Sequence, residues 1–247
     1  MSQQAASLAY EWRRLTRAAT IVAVLTSPAL FFVFHVGNGW SVPVSVLATF
    51  VAVIAFRGLV DVIAKHVGGR YRLSSGDQLV LVTGGPLRVA SLDIPVRLTT
   101  RETAGGASEV KGGSVMYQLC GLGPRCAINK GKPSTERFLL LRREALELAL
   151  YSFRYLGGVK NVVALLPPAP GKKPENAMLF RKGRYEGTLD RPLAATLPSP
   201  PPTLNALPDS PEAGLIQRLT DENLFRYSFQ QGQDLSAFLV LQALPGS

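Results

Sequence analysis

The sequence predicts an α+β protein in which an N-terminal transmembrane helical hairpin precedes a mixed α/β cytoplasmic domain. Two observations carry this expectation. Residues 18–36 form an apolar run without Asp, Glu, Lys or Arg, and residues 42–56 form a second after only Gly37, Asn38, Gly39, Trp40 and Ser41. From Tyr71 onward, short apolar or alternating runs bounded by Gly and Pro surround one helical stretch, the pattern of a sheet with a helix packed on it.

At about 1.5 Å per helical residue, the first run is long enough to cross a hydrocarbon core roughly 30 Å thick. The second reaches that length only when continued through Ala64, which brings in Arg57 and Asp61; four apart, these share a helix face and can pair or reach headgroups. Arg13, Arg14 and Arg17 precede the first run, and Arg57, Lys65, Arg70 and Arg72 lie at or after the end of the second, with no Lys or Arg between the runs. This asymmetry predicts a multi-pass membrane protein with both termini cytoplasmic. Tyr10, Trp12 and Trp40 fit interfacial belts at the ends of the first run. Pro28 is expected to kink it. The competing readings are a signal peptide, disfavoured by the length of the run and the second run that follows it, and a buried helical hairpin.

The predicted domain plan is a basic segment 1–17, a two-helix hairpin 18–66, an α+β domain 71–197, a Pro-rich linker 198–211, and a C-terminal helix and hairpin 212–247 packing on the main domain. Strands are expected at 78–83, 86–90 and 94–99, with Gly84-Gly85 as a hairpin signal between the first two, and at 114–119 after a Gly-rich loop. Residues 138–141 read as a strand and 142–156 as a helix with Leu146, Ala149, Leu150 and Phe153 on its apolar stripe, ended by Gly157-Gly158. Strands at 159–166 and 177–180 follow, so that strand, helix and strand suggest a βαβ element. Six of the eighteen prolines fall within 197–211, which predicts an extended surface linker. Ser210 and Pro211 suit the cap and first position of a short helix, and Gln231-Gly232-Gln233-Asp234 suits the turn of a terminal hairpin.

The formal charge is +10 with only 18% charged residues, so the excess reflects a shortage of acids as much as a surplus of bases. A bilayer with anionic headgroups explains it economically. Nucleic acid is excluded as a partner because the bases are scattered and no helix-turn-helix, zinc-finger or RNA-binding signature accompanies them. The residues expected to contact a membrane or an anion are Arg70, Arg72, Lys172, Lys173, Arg181, Lys182 and Arg184.

Catalytic chemistry is mostly missing from the sequence. The only histidines, His35 and His66, fall in the expected hairpin, so the larger domain has none for a nucleophile–base site or a His-containing zinc site. Cys120 and Cys126 are the only thiols; the pair reads as two free thiols in a Gly-Pro turn, as a redox pair closing a small loop, or as half of a metal site shared in an oligomer. Residues 80–87 run from a strand into a glycine pair, but Pro86 removes an amide and no phosphate-loop motif is present. No catalytic residue, cofactor or metal ligand is therefore assigned. Arg142 and Arg143 would open the predicted helix with the wrong charge for its dipole, which marks either an anion site or a strand continuing to Arg143.

The segment from Ala55 to His66 resembles the end of the membrane hairpin of actinobacterial AAA+ ATPases related to FtsH. No Walker motif or H-E-x-x-H accompanies it, so neither ATPase nor protease activity is implied. Residues 141–151 and 166–173 are similar to uncharacterised actinobacterial two-pass membrane proteins. The two resemblances together imply a bacterial plasma membrane, and the expected function is a non-catalytic, membrane-tethered interaction or regulatory subunit of a complex there, with a membrane protein or a second copy of the chain as partner. The alternative is an enzyme acting on a lipid or a membrane-proximal anionic substrate.

Overall fold

The structure, a computed structural model, describes residues 33–36, 40–89, 94–101, 106–123, 126–128, 132–168, 173–233 and 236–244. The chain divides into two units, Met1–Leu59 and Val60–Ser247. In the first, β1 (Val33–Val36) and β2 (Trp40–Pro43) pair antiparallel, Val33 opposite Pro43 and Val36 opposite Trp40. Helix α1 (Val44–Gly68) follows directly and enters the second unit at Val60.

The expected transmembrane hairpin is overturned, and with it the multi-pass plasma-membrane localisation. Among the described residues no helix is long and apolar enough to cross a membrane. Residues 18–32 of the first run lie outside the described residues, as do Tyr10, Trp12 and Pro28, while the end of that run forms strand β1. In α1 the apolar face of the last turns is covered by protein: Val60, Ile63, Ala64 and Val67 are all buried within the second unit. Asp61 pairs with Lys65 at 2.7 Å on the exposed side. Apolar side chains at helical spacing need a non-aqueous environment, and a packed sheet supplies one as well as lipid does.

The second unit is built on a nine-stranded mixed sheet. Its strands are β3 (Leu81–Pro86), β4 (Arg88–Val89), β5 (Ile94–Arg101), β6 (Ala107–Glu109), β7 (Gly113–Cys120), β8 (Val159–Leu165), β9 (Asn176–Arg181), β10 (Leu224–Gln231) and β11 (Ala237–Ala243). They run β3-β7-β8-β9-β10-β11-β5-β4, with β6 added to β5. The pairs β7/β8 and β11/β5 are parallel and the others antiparallel. The two ends of this path, β3 and β4, are separated in the chain by Leu87 alone, whose carbonyl accepts from Val96 N at 3.1 Å. The sheet therefore closes on itself through a bend at Leu87. Leu87, Val96, Leu98, Val163, Leu179 and Leu239 belong to the cluster that fills its interior, as side chains fill small closed sheets.

Helix α2 (Thr135–Tyr155) packs on the outside against β8 and β9. This explains why β8 is an almost unbroken apolar run: Val163 and Leu165 join the interior cluster, whereas Val162 and Ala164, equally buried, alternate with them. The expected strand at 138–141 is instead part of α2. Ser134 caps the helix by accepting from Arg137 N at 3.2 Å, and Leu139 to Leu141 are buried within it. The βαβ element is consequently β7-α2-β8. Gly84 and Gly85 do not turn the chain but lie inside β3, because a side chain at Gly84 would meet the ring of Tyr117 at 2.5 Å and Val60 Cγ1 at 2.8 Å.

After β9 come a short 3-10 turn (Lys182–Tyr185), α3 (Glu186–Leu189) and α4 (Leu193–Thr196). The Pro-rich stretch then buries Leu197 and Leu207, and α5 (Pro211–Thr220) begins with Ser210 as its cap residue and Pro211 in its first turn. The β10/β11 hairpin completes the sheet, with Ala237 opposite Val96 of β5.

Candidate functional site

The parallel pair β7/β8 and its crossover helix create a crevice where both strands end and α2 begins. A cavity of about 260 Å³ occupies it. Leu122 and Ile128 contribute one wall, Phe138 and Leu141 of α2 a second, and Leu166 and Pro167 after β8 a third. The first wall is held by Cys120 and Cys126, which form a disulfide with Cα atoms 5.0 Å apart. Of the expectations for this pair, the loop-closing one corresponds to the structure and two free thiols do not. Backbone bonds from Ile128 N to Gly121 O (3.0 Å) and from Gly123 N to Ile128 O (2.9 Å) fix the turn further.

Two cations face the cavity, Lys132 and Arg137. The Arg137 guanidinium is half-buried and donates to Leu79 O at 2.8 Å. Burial disfavours its charge, and Glu144 along the helix partly offsets this. The lining residues include no carboxylate, imidazole or free thiol among those described.

A second polar cluster lies deeper, between α2, the segment after α1, and the Pro-rich stretch. Glu147 accepts from Tyr71 Oη at 2.5 Å, pairs with Arg143 at 3.4 Å and also with Arg70. Arg143 further reaches Glu212 of α5 at 2.8 Å and Pro198 O at 2.7 Å. Arg142 donates to Thr220 Oγ1 at 2.7 Å and pairs with Asp221 at 2.5 Å. The arginine pair therefore lies mid-helix, internally satisfied, and neither an anion site nor the end of a strand. These groups join α2 to α5 and to the chain before it. Glu144 differs: both its oxygens are buried without a hydrogen-bond partner. Burial raises its carboxyl well above the usual range, with Arg137 opposing.

Among the residues expected to meet a membrane or an anion, Arg70 is engaged with Glu147 and with Ser199 Oγ (3.2 Å), and Arg72 donates to Gly76 O at 2.8 Å. Lys182 donates to Phe153 O at 3.0 Å, and Arg184 pairs with Glu222 at 2.7 Å. Burial and then the neighbouring Arg184 disfavour the charge of Arg181. Lys173 is exposed, and Lys172 lies outside the described residues. His66 packs its ring 5.3 Å from that of Tyr151, and its pKa is lowered by burial and by Arg70; His35 lies in β1. Among the described residues no group of three or more His, Cys, Asp or Glu side chains is placed to hold a metal ion.

Sequence reasoning passed over Arg137, Glu144 and Glu147. The signal for Glu147 was present, since Arg143 and Glu147 stand four apart on a helix; Arg137 needed the helix to begin at Ser134. The chain matches no family model, no curated protein and no solved structure.

Proposed function

We propose that the Val60–Ser247 unit is a non-catalytic interaction or regulatory module whose binding site is the crevice at the ends of β7 and β8. The observation that carries this reading is the chemistry of the wall: mostly apolar side chains and prolines with Ser134, Asn176 and two cations, and no carboxylate, imidazole or free thiol among the described lining residues to activate the Ser134 hydroxyl or the Lys132 amine. Clefts of this composition bind by burying apolar surface and orient the ligand with a few polar groups. An enzyme acting on an anionic substrate would need acids and bases converging on a concave site. The nearby candidates, Glu144, Glu147 and Tyr71, are each no more than 3% exposed.

Site-specific photo-crosslinking in cells tests the reading. A photoreactive phenylalanine analogue replacing Phe138, which lines the crevice, should give a discrete adduct, and the same analogue at the exposed Phe229 should not. An adduct at twice the chain mass would identify a second copy as the partner. Equal labelling from both positions, or none from Phe138, would refute the site.

A further inference from the structure

We infer that the crevice takes a small carboxylate with a short apolar body, its carboxylate held by Arg137 and its body by the Leu122, Phe138, Leu141 and Pro167 walls. The inference rests on the reading of the crevice as a binding site and goes beyond it by naming the ligand's chemistry. It starts from an imbalance within α2. Arg142 and Arg143 are buried and each is paired with a carboxylate, Asp221 for the first, Glu147 and Glu212 for the second. Arg137, half-buried on the same helix, hydrogen-bonds the neutral Leu79 carbonyl and makes no carboxylate contact among the described residues, Glu144 favouring its charge only through space.

A guanidinium taken partly out of water without a counter-ion is costly unless an anion arrives to meet it. The protein's own acids fill this role only in part, Glu144 acting through space. Glu136, its neighbour in sequence, hydrogen-bonds Ser134, and Glu144 is enclosed in the core. The helix end is likewise already occupied, because Ser134 accepts from Arg137 N. What the cavity lacks is a negative charge, and Lys132 adds a second positive one.

Size and local geometry narrow the ligand. The cavity, about 260 Å³, lies just below the roughly 300–1,000 Å³ typical of drug-sized ligands, which favours a short acid over a long lipid. Gly121 leaves room for the guanidinium: a Cβ there would stand 3.1 Å from Arg137 Nη2 and 3.3 Å from Pro167 Cβ. Planar, forked guanidinium donors match a carboxylate in two-point geometry.

Calorimetric titration of the full chain with octanoate, 1-octanol and octylamine separates charge recognition from apolar filling. Octanoate should bind saturably, 1-octanol about ten-fold more weakly and octylamine weakest, the difference expected for one charge-assisted contact. Arg137→Met should remove the preference for octanoate over octanol, and Arg137→Lys should restore part of it. Circular dichroism reports whether each variant folds, and the Lys variant decides the matter if the Met variant does not. Equal affinity for octanoate and octanol would overturn the inference while leaving the crevice a binding site. Absence of binding by all three, or binding only of a peptide through its C-terminal carboxylate, would overturn it too, and the Phe138 crosslink would then decide separately whether the crevice is used at all.

Discussion

Arg143 and Glu147 stand one helical turn apart on α2 and meet at 3.4 Å with side chains 0% and 4% exposed, so this ion pair has almost no water to share its charge. Tyr71 Oη bridges them, accepting from Arg143 Nη1 and donating to Glu147 Oε2, both at 2.5 Å. Burial keeps that phenol protonated far beyond its usual range. A buried pair of this kind contributes little net stability compared with apolar residues of the same shape, yet removing one partner leaves the other charge uncompensated.

Glu147→Ala should therefore destabilise the chain by about 3–5 kcal/mol. Urea denaturation measures the loss. A cost comparable to that of an exposed ion pair, below about 1 kcal/mol, would show that Arg143 is adequately satisfied by Glu212 and Pro198 O.

Glu144 should make stability fall as pH rises. Its carboxyl stays protonated in the folded chain well above the usual carboxylate range because burial penalises the charge, whereas in the unfolded chain it ionises above about pH 4.3. Between those two values the folded state holds one more proton, so raising the pH favours unfolding by up to about 1.4 kcal/mol per unit from this group. Glu144→Gln has no proton to lose, and its stability relative to the parent should grow as the pH is raised above about 4.3, through the range in which the buried carboxyl still holds its proton. Urea midpoints that run parallel across that range would disprove the assignment.

Gly84→Ala should cost about 1–3 kcal/mol, the penalty for overpacking a close-packed interior. The added methyl would meet the Tyr117 ring at 2.5 Å and Val60 Cγ1 at 2.8 Å, and Tyr117 is anchored to Ser152 Oγ at 2.8 Å. Adding Tyr117→Leu should recover part of the loss if the clash is the cause. A thermal melt of the two variants checks this.

The Cys120–Cys126 bridge closes a loop of sequence separation 6, for which restriction of the unfolded chain is worth about 2 kcal/mol. Replacing both cysteines by Ser should lower stability by that amount and weaken octanoate binding, since Gly121, Leu122 and Ile128 line the crevice. Intact affinity in the double variant would show that the backbone bonds of the turn hold the wall unaided.

Much of the sheet was legible because its strands carry local boundaries. Residues 162–166 form an apolar run, entered from Gly157-Gly158 through Val159, Lys160 and Asn161 and left at Pro167, and the β10/β11 turn is marked by Gly232. The start of α2 was not legible: Leu139 to Leu141 are three consecutive buried residues, and a helix buried almost all round loses the 3.6-residue alternation that separates it from a strand. In α1 the buried residues Val60, Ile63, Ala64 and Val67 lie beyond the apolar run 42–56 that suggested a membrane span, so the run itself did not mark the packed face. Gly84, Gly85 and Pro86 announce a break before Leu87, but as a hairpin turn and not as the bend that closes the sheet, and the candidate site joins the end of β7, the start of α2 and the exit from β8, which only the tertiary fold brings together. Arg137 looks like any solvated base until the helix places it beside the cavity.

The parallel pairing of β11 with β5 also has a consequence for synthesis. β5 (Ile94–Arg101) leaves the ribosome long before the neighbour it needs on one side, Ala237–Ala243, has been translated. Until then a growing chain presents β5 as an unpaired edge beside an unfilled interior, the state most exposed to association with other nascent chains. Loop closure over so long a separation also makes final assembly slow. Stalled chains ending before Ala237 should consequently be bound by holdase chaperones and digested by protease, with protection appearing only once β11 has cleared the exit tunnel.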